Sequence, residues 1–193
     1  MMTTATEIGA RAQLAGRLTY LSGVLGAIGI GFMVAMFVSF AAGAKPAGMA
    51  FGWVNDVLVL LSYLLTAPAV LALRPLIRPR APILSSVLAV VGLVSIGAIV
   101  LFQGLLVIGA LTFEEQIGPV SIVYLGLAVW FVLTGYLGRT SGILPHGVRM
   151  GLLGATYIGY PIWAFWMSRQ LLRPLAHPAQ RRPVMDLEGQ PDV

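Results

Sequence analysis

The chain has 193 residues, 58% of them hydrophobic and 10% charged, with a mean hydropathy of +0.90. A soluble domain carries about 25% charged residues, so this chain lacks the polar surface needed to face water and reads as one membrane domain. It has no cysteine, which excludes disulfides, thiolate metal sites and cysteine nucleophiles. Its net charge of +5 comes from arginines in short loops and tails, with no basic run interleaved with aromatics, so nucleic acid is excluded as a partner.

Residues 1–17 form a polar lead containing Arg11 and Arg17. Thr4 and Glu7 stand at capping-box spacing, which predicts a helix starting near Ala5. The first apolar run, residues 18–42, ends in Ala42-Gly43-Ala44, which imitates a signal cleavage site. The run exceeds the roughly 7–15 residues of a signal core, so it predicts a retained membrane helix. Gly23, Ala27, Gly31 and Ala35 recur every four residues along it, and that stripe predicts a helix-packing seam. A loop with Lys45-Pro46 leads to a second span at residues 53–73. Asn55 and Asp56 lie at its start, near the interface, and Pro68 inside it predicts a kink.

The stretch RPLIRPRAP, with Arg74, Arg78 and Arg80, is the plainest loop and the strongest positive-inside mark. The third span, residues 83–113, is longer than a bilayer requires and predicts tilt. Gln103 is its one strongly polar residue and, with Ser95, predicts a hydrogen bond across the bundle. A short loop with Glu114 and Glu115 leads to Pro119, which fits the first turn of a fourth span at residues 120–137. After the turn GRTSGILPHG, residues 148–168 predict a fifth span. Its core of about 20 residues has only Arg149 as a charge and would extend about 30 Å, the thickness of a hydrocarbon core. Gly147, Gly151, Ala155 and Gly159 line one face of that helix, while Tyr157, Tyr160, Trp163 and Trp166 read as an aromatic belt at the headgroups. Residues 170–193, rich in proline and mixed charge, read as a disordered tail. The expected fold is all-α, a polytopic bundle of five transmembrane helices.

Five spans place the termini on opposite sides. With the N-terminus cytoplasmic, Arg11, Arg17, Arg74, Arg78, Arg80, Arg139 and Arg149 fall inside, and Lys45, Arg169, Arg173, Arg181 and Arg182 fall outside. The loops favour this orientation in the cell membrane, and the arginines of the tail oppose it. A re-entrant last segment would remove the conflict, but its full length argues against one.

The polar-started span from Val54, the ending LTGYLGRTSG of span four and the following ILPHGVRMGLLGATYIGY together resemble a family of small bacterial multi-helix membrane proteins catalogued as a domain of unknown function. The similar region is roughly residues 54–160, and the turn from Gly135 to Pro145 is its most specific part. The loop after span three is shorter than is usual in that family, and a tail stands where a sixth helix often follows. The resemblance implies a helical bundle of a bacterial inner membrane and no particular substrate.

No Asp, Glu or His stands mid-span, as proton coupling would require. The two histidines, His146 in a turn and His177 in the tail, have no second metal ligand in spacing, and Ser141 near His146 lacks the rest of a nucleophilic set. No catalytic residue, metal or cofactor is therefore expected. Alternating spans bring Lys45, Asn55, Asp56, Glu114 and Glu115 to one membrane face, either as a polar vestibule for a cation or amine or as ordinary interface charges. Arg74, Arg78, Arg80, Arg139 and Arg149, with His146, gather on the other face, where they hold anionic lipid headgroups or serve orientation alone. Three functions fit. The first is a non-enzymatic bundle that assembles through its glycine faces with itself or a membrane partner. The second is a small carrier or channel for a cationic or small neutral solute. The third, an enzyme acting on lipid, is weakest for want of a catalytic set.

Overall fold

The computed structural model describes residues 5–173. Thr4 of the expected capping box and the tail with His177, Arg181 and Arg182 lie outside the described residues. All regular elements among those described are helices: α1 (Ala5–Ala41), α2 (Lys45–Ile77), α3 (Pro82–Val107), α4 (Phe113–Thr140), α5 (Gly147–Gly154) and α6 (Tyr160–Leu172). The first four are long and apolar enough to cross a bilayer. Large side chains such as Ile83, Val94, Ile108 and Ile122 stand outward, more than 60% exposed, which suits a hydrocarbon solvent and not water. The chain is a membrane-embedded helical bundle.

The helix ends follow local chemistry and extend several spans beyond their expected limits. The polar lead is the first three turns of α1, and Lys45-Pro46, expected in a loop, opens α2 because proline suits a first turn. Gly43 (φ +75°) and Gly109 (φ +73°) close α1 and α3 in the left-handed conformation. In both cases the next amide reaches back to a carbonyl five residues earlier, Ala44 to Ser39 and Ala110 to Leu105. The third span therefore ends at Val107, not at residue 113. The acidic loop expected over residues 113–119 is the start of α4: Thr112 caps it, its hydroxyl accepting from the Glu115 amide at 3.3 Å while Glu115 Oε2 accepts from the Thr112 amide at 2.8 Å. Helix α2 continues through Pro68 and Pro75.

The expected fifth span is two half-helices separated by residues 155–159. Thr156 makes the break: its hydroxyl donates to the Leu153 carbonyl and accepts from the Gly159 amide, both at 2.9 Å, in place of helical bonds. Pro161, which has no amide hydrogen to donate, then begins the new helix.

Contacts along the chain fix the direction of each half. On α5, Gly147 meets Gly135 and Gly151 meets the Phe131 backbone, so α5 runs antiparallel to α4. Gly16, Gly23 and Gly26 of α1 face Leu172, Ala164 and Tyr160 in turn, so α6 runs antiparallel to α1. The pair is a re-entrant hairpin that enters from, and returns to, one end of the bundle. It fills the space between α4 and α1, closing a ring in which α1 packs on α2, α2 on α3 and α3 on α4. Among the described residues, Arg11, Arg17, Arg74, Arg78, Arg80, Arg139, Arg149, Arg169 and Arg173 thus share the end where the hairpin enters, and Lys45 lies at the other. For Arg169 and Arg173, the conflict with the loop arginines disappears.

The break also moves the aromatic residues. Tyr160 and Trp163, expected among headgroups, are 4% and 2% exposed. Trp163 packs in mid-bundle against Phe131 (ring centroids 4.5 Å, 77°) and Trp130 (6.0 Å, 73°).

Candidate solute site beneath the helix break

Four small or hydroxylated positions of α1, Ala15, Thr19, Ser22 and Gly29, are buried together with Ala12, Gly16 and Gly23. They recur at spacings of three, four and seven, as a seam on a 3.6-residue helix requires. A strict spacing of four turns by about 40° at each step. Of the expected stripe, Gly23 therefore lies in the seam with α6, Ala27 and Gly31 face outward, and Ala35 is half-buried. Along the last segment, Gly147 and Gly151 pack α5 onto α4. Ala155 is exposed within the break, and Gly159 abuts the Leu153 carbonyl. A single glycine face cannot continue through a helix that stops.

At mid-depth the seam carries hydroxyls. Ser22 and Thr66 hydrogen-bond at 3.0 Å, and the Tyr160 hydroxyl joins both, pinning the start of α6 to α1 and α2. Beside this knot, toward the Lys45 end, a cavity of about 210 Å³ opens under the break. Its lining includes Tyr63 of α2, Tyr124 and Phe131 of α4, and Thr156 and Tyr157 of the break. Tyr63 stands edge-on to Tyr124 (5.6 Å, 69°) and lies 5.1 Å from Tyr160. The Tyr157 hydroxyl donates to Asn55 Oδ1 at 2.7 Å, tying the break to α2. Non-helical backbone at membrane depth is tolerated where protein buries it or where it lines a cavity, and here it does the latter.

Asp56 stands seven residues before Tyr63 on α2, which puts both on one helix face about two turns apart. Its neighbour Asn55 is the residue that bonds Tyr157 of the cavity wall. Asp56 Oδ1 accepts from Gln103 Nε2 at 2.8 Å, and Gln103 Oε1 accepts from Gln116 Nε2 at 2.6 Å. Gln103 and Gln116 are 7% and 3% exposed, so a buried amide chain links α2, α3 and α4. Along α2, Asp56 is about 27 Å from Arg74, just inside the far boundary of a core about 30 Å thick.

Of the four expected vestibule residues, Asn55 reaches this site through Tyr157, and Asp56 adjoins it on α2, bonded to Gln103. Glu114 and Glu115 stay exposed at the outer end of α4, Glu115 being engaged in its capping box. The arginines of the opposite face separate as well. Arg80 donates to the Thr140 carbonyl at 3.0 Å, joining the α2–α3 turn to α4. Arg74 donates to Ser86 at 3.2 Å, whereas Arg139 and Arg149 lie on α4 and α5. His146 caps α5 at φ 59°, and among the described residues no three His, Asp or Glu side chains converge.

Compared with protein-family models, with curated proteins and with solved structures, the chain matches none. The site therefore stands on its own geometry. Sequence reasoning missed Tyr63, Tyr124 and Gln116. The signal for Tyr63 was its seven-residue distance from Asp56. The signal for Gln116 was the Thr112-x-x-Glu115 box, which moves it from a loop into a helix.

Proposed function

We propose that this protein is a small membrane carrier or binding protein for a compact organic cation, such as a primary or methylated amine. The observation that carries this reading is the aromatic cavity of about 210 Å³ under a broken, re-entrant helix, with Asp56 about two turns along α2 from Tyr63 of its wall. Aromatic faces attract ammonium groups, worth about 0.5–2 kcal/mol each, and a nearby carboxylate supplies the counter-charge. Discontinuous helices that meet near the bilayer midplane are a recurrent way to build solute sites in transporters. The cavity volume limits the solute to a few heavy atoms. No bond-breaking step is proposed. With positive charge at one end, both ends of the described chain, Ala5 and Arg173, lie on the cytoplasmic side of the cell membrane.

The test is binding of radiolabelled methylammonium to purified protein, in competition with tetramethylammonium and with the neutral isostere tert-butanol. Asp56→Asn and Tyr124→Leu each weaken binding about tenfold or more, and the neutral isostere does not compete. Absence of binding in the parent protein, or equal competition by the isostere, overturns the reading.

A second reading, assembly, has one favouring observation: along residues 24–41 of α1 only Gly29 is buried, and Ala27 and Gly31 face outward with nothing against Gly31. Small residues there allow close approach of another helix from a second copy or a membrane partner. Ala27→Leu with Gly31→Leu lowers the oligomeric mass in detergent if this reading holds, and an unchanged mass rejects it.

A further inference from the structure

A second cavity, of about 440 Å³, lies between α1 and α2 at the arginine end of the bundle. Arg11 of α1 and Arg74 and Arg78 of α2 line it, together with Leu14, Pro68 and Leu71. All three arginines are exposed. Leu14 and Leu71 are 59% and 55% exposed, facing where acyl chains would lie. The two helices are antiparallel, yet each presents the same order: the leucine sits three residues deeper in the membrane than its arginine, Leu14 below Arg11 and Leu71 below Arg74. With Ser22 of α1 level with Thr66 of α2, Arg11 stands near the depth of Arg78, and Arg74 lies about one turn deeper, near the depth of Leu14. Arg78, four residues after Arg74, adds a third cation on the same face of α2. Among the described residues, Glu7 is the one carboxylate at this end, on α1 one turn outward from Arg11, while Asp56, Glu114 and Glu115 lie at the other end. The groove therefore keeps an excess of positive charge.

We infer that this groove is a binding site for one anionic phospholipid. Arg11, Arg74 and Arg78 hold its phosphate, and an acyl chain lies over Leu14 and Leu71. Guanidinium groups match phosphate oxygens in a forked geometry, and basic pockets between membrane helices are suited to anionic headgroups. The lateral opening onto exposed leucines distinguishes a lipid from free phosphate, which has no use for an apolar slot. Pro68 and Pro75 of α2 also line the groove.

Native mass spectrometry of the full chain in detergent tests this with three probes: phosphatidylglycerol, phosphatidylcholine and inorganic phosphate. One phosphatidylglycerol per chain is retained, at least about tenfold more tightly than phosphatidylcholine. Arg74→Gln with Arg78→Gln abolishes that preference, whereas Arg139→Gln, at the same end but outside the groove, preserves it. Equal retention of the two lipids overturns the site. So does an equal loss in Arg139→Gln, which would mean diffuse charge attraction. Displacement of phosphatidylglycerol by millimolar-range phosphate would mean a free-phosphate site and also overturns it.

Discussion

Gln103 donates its side-chain amide to Asp56 at 2.8 Å, and its own carbonyl accepts from Gln116 at 2.6 Å, so one residue of α3 holds α2 and α4 together. Each of its two polar ends is committed, and the residue itself is buried. The amide chain also fixes the position of the Asp56 carboxylate, about two turns along α2 from Tyr63 of the cavity wall.

Replacing Gln103 with leucine keeps the volume but strands both partners. A buried polar group left without a partner costs about 1–3 kcal/mol, at the lower end where the membrane-embedded unfolded state finds other partners. Gln103→Leu should therefore lower the thermal unfolding midpoint in detergent, and Gln103→Leu combined with Gln116→Leu should recover part of the loss because one orphan is removed. A single variant as stable as the parent would show that the chain bears no load.

This chain was readable in the sequence at one end and opaque at the other. Gln103 as a hydrogen-bonding residue across the bundle, Asn55 and Asp56 as one polar group, and all-α membrane architecture follow from apolar runs and the rarity of polar residues within them. The fifth span did not follow, because hydropathy is blind to direction: residues 148–168 are apolar enough to cross, and nothing in that average distinguishes a crossing from a descent and return. The distinguishing information is Thr156 competing for backbone groups three residues either side, followed by Pro161. Once the helix breaks, Tyr157, Tyr160 and Trp163 move from a headgroup belt into mid-bundle, and a cavity appears that no spacing rule anticipates. The α1 stripe misleads for a geometric reason, since residues four apart drift around the helix and the seam recurs at spacings of three, four and seven.

The close approach of α4 and α5 gives a sharper stability test. A Cβ on Gly135 would collide with the Gly147 carbonyl, and a Cβ on Gly147 with the Gly135 carbonyl. Both obstacles are backbone, which cannot rotate away. Gly135→Ala and Gly147→Ala should each cost about 1–3 kcal/mol or more through overpacking. Gly97, on the outward face of α3, has nothing within 4 Å. Gly97→Ala should be neutral or stabilising by up to about 1 kcal/mol, since alanine is the better helix former. Tryptophan fluorescence during thermal unfolding reads all three, because Trp130 and Trp163 report the core beside the interface. If Gly135→Ala melts with Gly97→Ala, α4 and α5 do not touch as described.

The re-entrant hairpin makes a prediction about sidedness that a five-span chain contradicts. The chain has no cysteine, so each introduced cysteine is the only thiol and labels without background. Arg78→Cys, in the exposed α2–α3 turn, marks the arginine end, and Lys45→Cys, at the exposed start of α2, marks the other. Arg173→Cys, at the end of α6, decides between the topologies. With α6 returning along α1, as Gly16 against Leu172 requires, Arg173→Cys reacts with a membrane-impermeant maleimide from the same side as Arg78→Cys. With a complete fifth crossing it reacts with Lys45→Cys instead. The exposed turns tolerate these changes, and the labelling pattern in intact vesicles reads sidedness without any functional assay. Labelling of Arg173→Cys together with Lys45→Cys would remove the hairpin, and with it the cavity on which the solute site is built.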